Sequence, residues 1–96
     1  MSIDFSSVCN HQERGVWHAV SSAAARYPGL AENGELLADV ACVALNRLPP
    51  RYIRHEVDYA FYLSDKERSD NDRQLAEAVE FAFGFVQARA AMRARG

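Results

Sequence analysis

Three arginines gather around one rigid corner of this chain. Arg47, Arg51 and Arg54 flank Pro49-Pro50, with Tyr52 and His55 among them. A guanidinium is permanently charged, offers forked donors that suit phosphate oxygens, and stacks on aromatic or nucleobase faces. The corner is therefore a candidate anion-binding site. A structural reading of the same residues also stands. Arg47 falls in a last helical turn, where a cation complements the helix dipole, and a following Pro-Pro is an ordinary stop signal. The chain as a whole carries a formal net charge of −2. That balance argues against broad attraction to nucleic acid and leaves room for a small anion bound locally.

The elements that must position these residues follow from pattern. Leu48 precedes a proline, whose ring disfavours helical geometry for it, and the two prolines fix their own φ and donate no backbone N–H. A helix over Glu35 to Arg47 must end there, and the chain leaves as a stiff arm. Leu36, Leu37, Val40, Ala41, Val43, Ala44, Leu45 and Leu48 leave that helix almost no polar face. A helix apolar nearly all round is covered by its neighbours or by a partner chain. Asp39, the exception, reads as structural. Beyond the corner, residues 52 to 63 alternate with a period of two and carry three tyrosines. The pattern favours an extended segment over a short helix. No partner strand is evident in the chain, so a second subunit is the expected mate.

Two further helices frame this centre. The first starts between Ser6 and Asn10, with Asn10 and Glu13 at capping-box spacing. Val16, Val20, Ala23 and Tyr27 form its apolar stripe, Gly15 permits close packing, and Pro28-Gly29 ends it, with a loop over residues 28 to 34. Ser64-Asp65-Lys66-Glu67 is a capping box and the clearest helix start in the sequence. Leu75, Val79, Ala82, Phe83, Val86 and Ala90, supplemented by Phe81 and Phe85, are its expected buried face. The fold class expected is mainly α: three principal helices, a Pro-Pro corner and a short extended or β segment in one domain over residues 1–96. So short a chain buries a modest core, and a homodimer is expected.

Several function classes find no support. The glycines form neither a phosphate-binding loop nor a dinucleotide fingerprint. Ser21-Ser22 lacks the context of a catalytic serine. His55 lies near Glu56 and Asp58, but no nucleophile accompanies it. His11 and His18, seven apart, have no acidic neighbour at ligand spacing. They read as solvated or core-edge residues. Cys9 and Cys42 belong to no metal-binding pair. They read as reduced, partly buried thiols. The N-terminus lacks a basic segment followed by an apolar run, and no stretch approaches a membrane span. A cytoplasmic, non-catalytic protein without cofactor or metal is expected.

The run Asp39-Val40-Ala41-Cys42-Val43-Ala44-Leu45-Asn46-Arg47-Leu48-Pro49-Pro50-Arg51-Tyr52-Ile53 closely resembles the signature of the late competence development protein ComFB family. Asn10, Glu13 and Val16 also match an Asn-x-x-Glu-x-x-Val pattern in that family's first helix. The resemblance covers most of the chain from Asn10 and is loose after Arg54. It implies a small, helical, dimeric, cytosolic receptor for a cyclic dinucleotide such as cyclic di-GMP or cyclic di-AMP, with second-messenger signalling and no catalysis. Some relatives hold zinc through cysteines between the first two helices. The loop here has none, so zinc is not expected. A cyclic dinucleotide presents two phosphates and two purine faces, which require cations and flat surfaces. Chemistry near the motif puts Arg47, Arg51, Tyr52 and Arg54 at the site, with Asn46, His55 and Asp58 as further contributors. A helical module that binds a protein partner, with no nucleotide ligand, is the alternative.

Overall fold

The computed structural model describes residues 2–95; Met1 and Gly96, the ends of the expected domain, lie outside them. Five α-helices and a two-stranded antiparallel sheet follow a short 3-10 turn over Phe5–Ser7. Strand β1 is Cys9–Asn10, α1 is Gln12–Ala23, α2 is Pro28–Ala31 and α3 is Gly34–Asn46. Strand β2 is Tyr52–Ile53, α4 is Glu56–Tyr62 and α5 is Asp65–Arg95. The mainly α class is as expected.

The core lies where α1, α3 and α5 meet. Val16 and Val20 of α1, Val40 and Ala44 of α3, and Ala82 and Phe83 of α5 are all buried in it. Tyr27 lies flat against Phe83, ring centroids 4.2 Å apart. Gly15 is small for a reason: a Cβ there would stand 2.7 Å from Cδ1 of Leu75. The Ser64 capping box forms as expected. Ser64 Oγ accepts from the Glu67 N–H at 3.1 Å, and Glu67 Oε1 accepts from the Ser64 N–H and hydroxyl. Asn33 caps α3, its Oδ1 accepting from the Leu36 N–H at 3.1 Å.

Several expectations are corrected. Pro28-Gly29 does not open a loop. Pro28 occupies the first position of α2, where its missing N–H costs nothing, and Leu30 of that turn is buried. Asn10 does not close a capping box with Glu13. Its Oδ1 accepts instead from the Gln12 and Arg51 N–H groups, at 3.2 and 2.9 Å. The extended segment covers only Tyr52 and Ile53, and residues 56 to 62 are helical. Glu56 and Asp58 then sit in a first turn, where the dipole favours carboxylates. The strand's mate lies within the chain: Cys9 pairs with Ile53 and Asn10 with Tyr52. Within the single chain, the neighbours of α3 do not cover it all round, since only its Val40 and Ala44 are fully buried. Phe81 and Phe85 point outward, 43% and 41% exposed. Both cysteines are exposed free thiols. Among the described residues no helix is long and apolar enough to cross a membrane.

Candidate functional site

The corner is built from both ends of the chain. Gln12 is fully buried and donates through Nε2 to the Pro49 carbonyl at 3.0 Å. The same Nε2 donates to Asn71 Oδ1 at 2.6 Å, and Asn71 Nδ2 returns a bond to Gln12 Oε1 at 3.2 Å. A buried amide left without partners is costly, and these two satisfy one another. The first turn of α1, the Pro-Pro arm and α5 are thereby locked together. Asn10 adds the bond to the Arg51 N–H, and the His11 N–H donates to the Arg51 carbonyl at 2.7 Å. The backbone of Arg51 is therefore fixed on both sides.

The seven residues expected at the site do not meet in one place. Tyr52, Arg54, His55 and Asp58 line a single open cleft of about 280 Å³, completed by Val8, Ile53 and Tyr62. Tyr52 and Tyr62 are 65% and 68% exposed, so both rings offer faces to a ligand. Arg54 is held at the rim, its Nε donating to Ser7 Oγ at 3.1 Å. The terminal nitrogens of its guanidinium lie beyond that contact. Arg51 is half-buried, and its Nε is a buried donor with no hydrogen-bond partner. It lies close enough to Tyr59 to act electrostatically on that phenol.

Arg47 and Asn46 are elsewhere. Arg47 lies over the Phe81 ring, 3.8 Å from its centroid, and borders a separate hollow with Pro49, Gln74 and Glu77. This is a cation–π contact with α5. Asn46 Nδ2 donates to the Cys42 carbonyl one turn back on α3, at 3.0 Å. Neither of these residues lines the cleft, nor does Arg51.

Sequence reasoning missed Val8, Ile53 and Tyr62 at the cleft, Ser7 as the tether of Arg54, and His11 as a contact of α4. His11 stacks on Tyr59 with centroids 3.8 Å apart, and its Nδ1 is 3.0 Å from Glu56 Oε2. Burial pushes the Tyr59 phenol above its usual range, and the Asp72 carboxylate adds to the rise. Tyr62 had a faint signal as one of three tyrosines in one segment. Ser7 and Val8 had none, because they reach the site only through the pairing of β1 with β2.

The cleft thus joins a cation, two exposed aromatic faces, an imidazole and a carboxylate. Such a set can bind a phosphate, stack a base and accept hydrogen bonds from a base edge. Among the described residues no group of three or more His, Cys, Asp or Glu side chains is placed to hold a metal ion. A family model described as Late competence development protein ComFB matches residues 9–90. A search of curated proteins found no match to the chain.

Proposed function

We propose that this chain, which belongs to the ComFB family, is a non-catalytic receptor that binds a cyclic dinucleotide in the cleft beyond Pro50 and signals as a homodimer. The observation that carries the proposal is the cleft itself. Arg54 lines it together with the exposed rings of Tyr52 and Tyr62, and with Asp58 and His55. A phosphodiester suits Arg54, and a purine suits a tyrosine face. Asp58 can accept from a guanine edge. Arg51, one residue before Tyr52, adds positive charge next to this segment, although its side chain does not line the cleft. The stiff, bonded corner lowers the ordering entropy lost on binding.

The cleft's 280 Å³ lies near the lower bound of small-molecule pockets, about 300–1,000 Å³. One half of a cyclic dinucleotide fits such a space, and the other half is left for a second surface. Separately, Trp17, Val20, Leu37, Ala41 and Leu45 line an apolar groove of about 560 Å³ between α1 and α3. That surface suits association with a second copy, although β2 itself needs no intermolecular mate.

Calorimetric titration with cyclic di-GMP and cyclic di-AMP, with sedimentation of the same samples, tests the reading. Saturable binding of one nucleotide by a dimer is expected. No heat from either ligand at a large excess, with a folded protein, would reject the receptor role. A monomer under all conditions would reject the homodimer.

A further inference from the structure

Helix α4 carries part of the cleft but little of its own support. It has seven residues, none of them buried. A helix that short is not stable alone in water, so the body of the protein must hold it. Two of its side chains meet one residue, His11, at the junction of β1 and α1. The imidazole lies nearly parallel to the Tyr59 ring, 19° between planes, and its Nδ1 faces the Glu56 carboxylate. Glu56 and Tyr59 are three residues apart and share one side of the helix. Asp58 and Tyr62, four apart, share another side and line the cleft. Seating the first pair therefore fixes the rotation of the second. The His11 backbone N–H also holds the Arg51 carbonyl, just before β2. One residue thus ties down both walls.

We infer that His11 is the positioning residue of the cleft. It seats α4 through ring stacking and the Glu56 contact, and so sets where Asp58 and Tyr62 stand relative to Tyr52 and Arg54. The ligand-binding purpose of this arrangement rests on the proposed receptor function, whereas the anchoring of α4 does not.

Hydrogen exchange of the ligand-free full chain, read by mass spectrometry, tests the anchor. In His11→Ala, amides of residues 57 to 62 should exchange about tenfold faster, while those of α3 and the buried part of α5 are unchanged. His11→Phe keeps a ring against Tyr59 and should restore most of the protection. Protection of α4 in His11→Ala equal to wild type would overturn the inference, as would a His11→Phe variant as loose as the alanine. If His11→Ala loosens the whole molecule, Tyr59→Leu decides: α4 must loosen alone, and an unchanged α4 rejects the anchor. Titration with cyclic di-GMP and cyclic di-AMP then reads the consequence. A nucleotide bound by wild type should bind about tenfold more weakly to His11→Ala. Unchanged affinity would reject the positioning role. A wild type that binds neither nucleotide would remove the receptor reading and leave the exchange result to judge the anchor.

Discussion

The two sides of Pro49-Pro50 use like residues for unlike ends. Before the prolines, Arg47 lies over the Phe81 ring, and its charge is engaged in a contact between the end of α3 and α5. After them, Arg54 is tethered through Nε to Ser7 and lines a cleft shared with two exposed tyrosines. Arg51, between the two, has a fixed backbone and a buried Nε without a partner. A cluster of positive charge in a sequence is thus not one site. What decides each arginine's role is what lies across from it: an aromatic ring of a packed helix on one side, open space with polar walls on the other.

The sharpest way to break this contrast is to remove the arginines one at a time. A charge-assisted contact contributes roughly 1.5–3 kcal/mol, so Arg54→Ala, which removes the cation lining the cleft, should weaken nucleotide binding by about ten- to a hundredfold, and Arg51→Ala, whose side chain does not line it, by less. Arg47→Ala should change it by less than about threefold. Titrations at one salt concentration, with circular dichroism to confirm folding, check this. Equal losses in all three variants would merge the two sides again. Arg54→Lys adds detail. A lysine can replace a point charge but not a bidentate or stacked guanidinium, so a full loss in Arg54→Lys identifies the latter.

The corner's own lock comes next. Gln12→Leu leaves the Asn71 side chain and the Pro49 carbonyl without their partner, and should cost about 1–3 kcal/mol in chemical denaturation. Replacing both Gln12 and Asn71 by leucine should cost less than the sum of the single changes, because no orphaned amide remains. Strict additivity would show that the pair is not coupled.

Smaller still is the effect of Arg47→Ala on stability. An exposed cation–π contact contributes about 0.5–1 kcal/mol, and the loss should vanish in a Phe81→Leu background. Least of all is an alkaline effect at Tyr59. Its folded pKa is raised, so the folded protein holds that proton more tightly than the unfolded chain. Its contribution is complete below the unfolded value, near 10, and is lost as pH rises through the higher folded value. Denaturation curves measured from about pH 10 upward should weaken in wild type more than in Tyr59→Phe. Identical pH dependence in the two would remove Tyr59 as the cause.

What could be read from the sequence was local. The Ser64 capping box needs only residues three apart, and it forms as written. The proline stop after α3 depends on ring sterics and also holds. Asn10 stands out in the sequence, but its partner Arg51 lies 41 residues away, so a capping box is the local account of it. The period of two over residues 52 to 63 misled because α4 is barely packed. With no buried face, its apolar residues carry no helical stripe to compete with the alternation. In sequence Phe81 groups with the buried Phe83, because nothing local shows that Arg47 lies over it from outside. His11 looked idle because Tyr59 and Glu56 reach it only through the tertiary fold.

The central claim is that a ligand sits beyond the prolines and not before them. Backbone amide NMR of the full chain, titrated with cyclic di-GMP and then cyclic di-AMP, tests it most directly. The account predicts that one nucleotide shifts the resonances of Ser7, Val8, Tyr52, Arg54, Asp58 and Tyr62, and leaves those of Gln74, Glu77 and Phe81 in place. Shifts centred on Arg47, Gln74, Glu77 and Phe81, with the Tyr52 to Tyr62 segment unmoved, would contradict it.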